Sequence, residues 1–318
     1  MKIDTILKVI DLSKHTEVLA IPLVASVGFF DGVHIGHQHL IGQLKSEANR
    51  LGLPSAVITF PVHPRLVLQP DYQFKLLCGY EEKLEKLAEQ GIDYCLSLPF
   101  TCALSQLSAR DFIHQVLKKE MCVHTLLVGY DHRFGHQRES GFFDYQRYGE
   151  EMGMNVLLSS ELKDNGKPIS SSDIRHYIEN GQIRKVNQLL TYPYRLSGKI
   201  VEGYQVGRSL GFPTANISAW DSNKVMPPNG VYAVKVMIRN CQYKGMLYIG
   251  SRPTLNMTNE ISIEVHIFDF EGNLYEQCIS VEFIDFVRTD GKFENLEELK
   301  HQLHQDRKMV EKILQELI

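Results

Sequence analysis

Short β-branched runs alternate with amphipathic stretches through the first half of the chain. The run "LVASVG" (Leu23 to Gly28) is apolar almost throughout and ends on glycine, which predicts a buried strand entering a turn. "SAVITF" from Ser55, "DYCLSL" from Asp93, "HTLLVG" from His124 and "NVLLS" from Asn155 predict further buried strands. After the first of them, Leu40, Ile41, Leu44, Ala48 and Leu51 recur at helical spacing, so a helix starts within the preceding "HIGH" letters. "LSARDFIHQVLKK" carries Ser108 with Asp111 three residues on, a capping-box variant that predicts a helix N-terminus. Strands alternating with helices are the pattern of a parallel α/β sheet.

Beyond "QLLTYPYRLSGKI" the rhythm changes. From Arg195 to about Val287, "GVYAVKVMIR", "QYKGMLYIG", "ISIEVHIFDF" and "ISVEFIDFV" alternate with period two and are separated by turn residues, as in a small antiparallel barrel. The tail from Leu296 to Ile318 reads as helix. The fold class is therefore α/β plus β, with Tyr192-Pro193-Tyr194 as the linker and domains at 1–190 and 191–318. No internal repeat or low-complexity tract interrupts either half.

Composition narrows the functional classes. A chain of 318 residues with 43% hydrophobic content is long enough for two real cores. Its formal net charge of -4 supplies no overall basic field for holding nucleic acid. The charged start "MKIDTILKVIDLSKHTEVLA" lacks a signal-peptide pattern, and no apolar run approaches the length needed to span a bilayer. The six cysteines are scattered without a C-x-x-C pair, which fits a reducing, cytoplasmic setting.

The chemistry concentrates in "GFFDGVHIGHQHLI" (Gly28 to Ile41). A strand ending at Gly28 lets backbone approach a phosphate, and a helix N-terminus after it offers free N–H groups and a positive dipole end. His34 and His37, three apart at that junction, can donate to triphosphate oxygens as pyrophosphate leaves; the alternative is two ordinary turn residues. His39 reads as helix surface. A second cluster, "KPISSSDIRHYIENG", puts Ser170, Ser171 and Ser172 before a helix with Arg175 on its first turn, either an anion site or a simple cap. The letters H-I-G-H also occur in class I aminoacyl-tRNA synthetases. Such an enzyme should also have a K-M-S-K-S-like loop and an anticodon-binding region, and this chain has neither.

In the second half, "GRSLGFPTANI" offers Gly207 and Gly211 where backbone can pass close to phosphate, then Thr214 and Asn216 on one face of a strand. These two are either solvent-facing or hard oxygen ligands suited to Mg²⁺. Glu264 shares a strand face with Ser262 and His266, as an exposed carboxylate or a general base.

Taken in order, "GFFDGVHIGH", "TFPVHPRLVL", "LPF", "LSARDFI", "VGYDHRFG", "ISSSDIR", "GRSLGFPTANI", "PPNGVYAV", "IGSRPT" and "EVHIFDF" resemble the bacterial bifunctional riboflavin kinase / FMN adenylyltransferases, or FAD synthetases, across nearly the whole chain. The resemblance implies a Rossmann-like nucleotidyltransferase domain followed by a riboflavin-kinase-like barrel. It implies ATP-dependent phosphorylation of riboflavin to FMN, then AMP transfer from ATP to FMN giving FAD and pyrophosphate. His34, Gly36 and His37 would bind ATP phosphates, Gly28 and Asp31 would shape that site, and Ser171, Ser172 and Arg175 would grip the triphosphate. Asp131 would orient FMN, with a turn-forming aspartate as the alternative, and His63 and Pro64 would lie on the flavin side. In the barrel, Gly207, Arg208 and Gly211 would hold ATP, Thr214 and Asn216 Mg²⁺, and Glu264 would take the proton from the ribityl 5′-hydroxyl. The implied partners are riboflavin, FMN, FAD and ATP with Mg²⁺, no nucleic acid and no membrane; a homo-oligomer is compatible with all of this. Four positions depart from the family's usual residues: Phe29 (often Asn), His132 (often Phe), Val206 (often basic) and Glu276 (often Gly). The rivals are an adenylyltransferase whose barrel only binds flavin, an H-x-G-H enzyme for a different acceptor such as a nicotinamide or pantetheine phosphate, and a non-enzymatic flavin carrier or regulator.

Overall fold

The computed structural model describes residues 7–14, 21–69, 71–164, 166–202, 207, 210–219, 223–239, 241–253 and 259–316. Val206 and Arg208 therefore lie outside the described residues. The chain divides into two compact units, Met1–Ser171 and Ser172–Ile318.

The first unit is built on β1 (Lys8–Asp11), β2 (Leu23–Val27), β3 (Ser55–Thr59), β4 (Tyr94–Ser97), β5 (Val123–Val128) and β6 (Asn155–Leu158). They form one parallel sheet in the order β1-β4-β3-β2-β5-β6. The central strands are apolar on both faces because both faces are covered. On β2, Leu23, Ala25 and Val27 pack with Ile113, Val116 and Leu117. Val24 faces the other way, toward Ile41, Leu44 and Ala48 of α1 (Ile35–Leu51). Each such buried aliphatic side chain stabilises the fold by about 1.5–3 kcal/mol.

The remaining helices of this unit are α2 (Pro64–Leu68), α3 (Tyr80–Glu89), α4 (Cys102–Ser105), α5 (Ala109–Asp111) and α6 (Phe142–Glu151). Ser108 caps α5 as its spacing predicts, its hydroxyl accepting the Asp111 N–H at 3.0 Å. The segment then widens into a nine-residue π-helix, Phe112–Glu120, which the sequence pattern does not distinguish from an α-helix. The small hairpin of β7 (Lys163–Asp164) and β8 (Lys167–Pro168) follows the sheet.

The second unit contains α7 (Ser171–Glu179) from its second residue on, α8 (Ile183–Leu190), and a closed barrel of β9 (Tyr194–Val201), β10 (Ala215–Ala219), β11 (Gly230–Ile238), β12 (Cys241–Pro253), β13 (Asn259–Ile267) and β14 (Cys278–Thr289). The barrel order is β10-β13-β12-β11-β14-β9, antiparallel at every pairing. Closure leaves no edge strand. Helix α9 (Leu296–Gln315) covers one outer face: its Val310, Ile313 and Leu314 pack with Phe212, Met246 and Phe268. Among the described residues no helix is long and apolar enough to cross a membrane.

Candidate active sites

The turn between β2 and α1 is strained. Phe30 (φ 55°) and Val33 (φ 38°) both have left-handed backbone, a conformation that costs non-glycine residues about 1–3 kcal/mol and is worst for a β-branched one. The surroundings hold it there. Phe30 and Val33 are buried; the Asp31 carboxylate accepts the Leu77 N–H at 3.0 Å and the Cys78 N–H at 3.4 Å; Gly32 donates to Cys78 Sγ. Asp31 thus shapes the turn from beneath. The Ser171 hydroxyl reaches the same turn, donating to the Asp31 carbonyl at 3.2 Å.

His34 caps α1, its Nδ1 accepting the His37 N–H at 3.4 Å. An accepting Nδ1 leaves the proton of a neutral ring on Nε2, a tautomer assigned from this bond. The rings of His34 and His37 stack at 3.7 Å, and Gly36 lets them do so, because a Cβ there would stand 3.1 Å from the His34 ring. Burial, followed by the charges of His34, Lys83 and His132, holds His37 well below the usual histidine range, so its ring is neutral in the free protein.

A polar pocket of about 220 Å³ opens here, lined by His34, Gly36, His37, Asp131, Ser159, Ser160, Ser170 and Ser171 among others. Asp131 therefore stands with the histidines. Its neighbour His132 begins the lining of a second, mostly apolar cavity of about 450 Å³, shared with Phe60, Pro64, Arg65, Phe100 and Phe134. Residues 129–138 thus contribute to both spaces. Tyr145 fixes that segment: its ring stacks on Phe134 at 4.1 Å, and its hydroxyl accepts the Phe134 N–H and donates to the Ser140 carbonyl. His63 stacks on Phe74 and caps α2, while Gly28 sits against the Phe30 ring behind the turn. Ser172 and Arg175 belong to the second unit, where the Arg175 guanidinium donates to the Ser172 hydroxyl at 3.4 Å.

Sequence reasoning missed the supports of this site. Gln43 on α1 uses both ends of its amide on the pocket rim, donating to Ser159 Oγ at 3.0 Å and accepting the Ser160 N–H at 3.0 Å. His39 is not plain helix surface: its Nε2 lies 3.0 Å from Ser160 Oγ. Lys83, buried under the turn, donates to the carbonyls of Phe29 and Phe60 and to Thr59 Oγ1.

In the barrel, Asn216 of β10 pairs directly with Glu264 of β13. The Glu264 carboxylate accepts Thr214 Oγ1 at 3.2 Å and Ser262 Oγ at 3.0 Å. Thr214 also lines a cavity of about 610 Å³ with Pro213, Ile267, Phe270 and Tyr275. His266 holds the approach to Thr214, its Nδ1 lying 2.8 Å from the Pro213 carbonyl. Gly207 and Gly211 serve the local turn: a Cβ at Gly207 would collide with the Phe212 carbonyl at 2.3 Å, and Gly211 has φ +84°. Glu276 occupies a left-handed position (φ 66°), which accounts for glycine being usual there; its carboxylate pairs with Lys199.

Comparison with known proteins agrees with both halves. Residues 18–173 match the family model described as FAD synthetase, and residues 190–314 the one described as riboflavin kinase. The bifunctional riboflavin kinase/FMN adenylyltransferase of Listeria monocytogenes is 37% identical over 89% of this chain and 90% of its own. That of Escherichia coli K12 is 36% identical over the same shares. The chain belongs to the bifunctional riboflavin kinase/FMN adenylyltransferase family. It is an enzyme with both activities, phosphorylating riboflavin to FMN and adenylylating FMN to FAD. Its substrates are small molecules, and it is nucleotide-dependent. A crystal structure described as a macrolide-efflux protein from Streptococcus pneumoniae shares the fold, with TM-score 0.88 and 29% identity over 96% of this chain and 99% of that one.

Proposed function

We propose that residues 1–190 carry the adenylyl transfer and residues 191–318 the phosphorylation. The observation that carries this reading is the pair of spaces sharing residues 129–138: a polar pocket edged by the stacked histidines, and an apolar cavity large enough for a flavin ring. The triphosphate of ATP goes to the polar pocket, and the FMN ring goes between Phe100, Phe134 and Pro64, with Asp131 at the junction.

An FMN phosphate oxygen then attacks the α-phosphorus in line, the bond to the β-phosphate oxygen breaks, and pyrophosphate leaves. The Nε2–H of His34, together with the His37 ring, stabilises the charge gathering on pyrophosphate without forming a covalent intermediate. Ser171 supports the pocket wall; the roles of Ser172, Arg175 and His63 rest on the family resemblance.

In the barrel, the Glu264 carboxylate takes the proton from the ribityl 5′-hydroxyl as that oxygen attacks the γ-phosphorus and ADP leaves. Thr214 Oγ1 and Asn216, beside that carboxylate, form an all-oxygen donor set that fits Mg²⁺. Among the described residues no group of three or more His, Cys, Asp or Glu side chains could hold a metal by itself, so the ion would share its coordination with nucleotide phosphates. Bound there, Mg²⁺ would supply positive charge against that developing on the transferred phosphoryl group.

Chromatographic product analysis tests the assignment. His37→Ala should accumulate FMN from riboflavin with FAD formation reduced about 10²-fold or more, the cost of removing one such donor. Glu264→Ala should make no FMN yet still convert added FMN to FAD. Loss of the opposite activity in either variant would sink the assignment of reactions to halves.

A further inference from the structure

We propose that Lys83 is a positioning residue for adenylyl transfer: its buried ammonium locks the phosphate-binding turn and places a fixed positive charge beneath the pocket. This rests on the assignment of that pocket to ATP phosphates.

Three observations carry it. Lys83 is 2% exposed, on α3, which packs against the 31–33 turn. Its Nζ donates at 3.1 Å to the Phe29 carbonyl, 3.3 Å to Thr59 Oγ1 and 2.8 Å to the Phe60 carbonyl, so all three of its hydrogens are engaged at the C-terminal ends of β2 and β3. The same ammonium stands 3.9 Å over the Phe29 ring. The backbone it grips leads directly into the strained residues Phe30 and Val33 and then to His34 and His37.

A purely structural tie would not need a charge. A buried lysine is costly, and the groups facing this one do not form a tight ion pair with it: Asp31 from the turn after β2, Cys78 from the loop before α3, Cys95 from β4, His37 from α1, and Tyr80 on its own helix. Burial brings Lys83 down to about 8, against the attraction of Cys78, Asp31 and Cys95. The charge persists at neutral pH, where it reaches His37, and is lost just above it.

The sign of the linkage separates function from folding. With its folded pKa below the unfolded value of 10.5, Lys83 releases its proton first in the folded protein, so its own titration above pH 8 relieves the burial cost and adds stability. Adenylyl transfer should fall over the same range, because the neutral amine has only two hydrogens and no charge.

The experiment is the pH profile, from 6.5 to 9.5, of FAD formation from added FMN and ATP in the full chain, for native protein, Lys83→Met and Lys83→Arg. Riboflavin phosphorylation in the same samples is the control. Native kcat/KM should fall roughly tenfold per pH unit above about 8, with a melting temperature that does not fall over the same range. Lys83→Met should lose about 10²-fold at pH 7, the scale of a small misplacement of reacting groups, and show no alkaline limb. Lys83→Arg should regain part of the activity and keep it beyond pH 9. A native-like limb in Lys83→Met, or a flat native profile, overturns the inference. If Lys83→Met does not fold, the Lys83 ammonium is titrated in native ¹⁵N-lysine-labelled protein by NMR, and a midpoint that fails to track the activity limb overturns it equally. His37→Ala run alongside distinguishes the two ideas: if it leaves FAD formation intact, the pocket assignment itself has failed.

Discussion

His132 shows how one residue can be read as a cost. Its Nε2 is buried without a hydrogen-bond partner, and burial, helped by the Arg138 charge, takes the ring down to about 4. His37 has a similarly unpartnered Nδ1 and is also held down. Both rings are neutral in the folded state at pH values where the unfolded chain binds protons. The part of the first unit's stability linked to these two rings is therefore fully present above about pH 6.5 and is lost as the pH falls toward 4. Substituting His132→Phe removes an orphaned polar atom, which typically costs about 1–3 kcal/mol, and one of the two titrating rings. Thermal melts between pH 4 and 7 should show a raised Tm and a shallower acid decline in this variant. An unchanged acid slope would mean that His132 does not titrate as argued. Glu276 is the opposite kind of departure: a side chain tolerated in a glycine conformation, with Lys199 as a surface partner.

Helix α1 does two jobs along its length. Its first turn presents His34 and His37, and two turns later Gln43 clamps the 159–160 rim with three hydrogen bonds at 3.0 to 3.2 Å. Each is worth about 0.5–1.5 kcal/mol net, enough together to hold a loop. Gln43→Ala should raise the KM for ATP in FAD formation about tenfold while changing kcat less, with riboflavin phosphorylation unaffected; steady-state kinetics at saturating FMN decide it. An equal fall in kcat would place Gln43 in the chemical step. Strands β2 to β5 were legible because a strand covered on both faces is a continuous apolar run between turn residues; β6 was found by its apolar run but is not the buried strand expected, since it lies at the sheet edge with Leu157 and Leu158 exposed. β1 was not: "KVID" is an edge strand with charge at both ends and Val9 half-exposed. The place of His34 and His37 at a strand-to-helix junction was legible because a glycine turn leading into a helix has a local signature. Lys83 was not, since "YEEKLEKLAE" reads as a charged helix surface, yet Lys83 lies in one stripe with Leu84 and Leu87, and a lysine on an apolar stripe is the signal that could have found it. The hydrogen bonds of Gln43 and His39 span 116 to 121 residues of sequence, a separation no local pattern reports.

At the scale of the whole molecule, each unit has hydrophobic clusters of its own, on both faces of the parallel sheet in the first and between the barrel and α9 in the second. Stability can therefore be removed from one without touching the other's chemistry. The barrel offers a single group through which to do this. Asp306 of α9 is 2% exposed and accepts Arg288 Nε at 2.8 Å, Arg288 Nη2 at 2.8 Å and the Gln302 amide at 2.8 Å, so β14 and its covering helix are joined through one buried carboxylate. Removing one partner of a buried pair strands the other charge, and typically costs about 3–5 kcal/mol. The Asp306→Ala substitution should therefore lower the temperature at which riboflavin phosphorylation is lost, while FAD formation from supplied FMN keeps its native temperature profile. A variant carrying both Asp306→Leu and Arg288→Met should recover much of the loss, because an apolar pair in that place strands no charge. Parallel loss of both activities on heating the single variant would show that the two cores do not melt separately, and failure of the double variant to recover would assign the ion pair a role beyond stability.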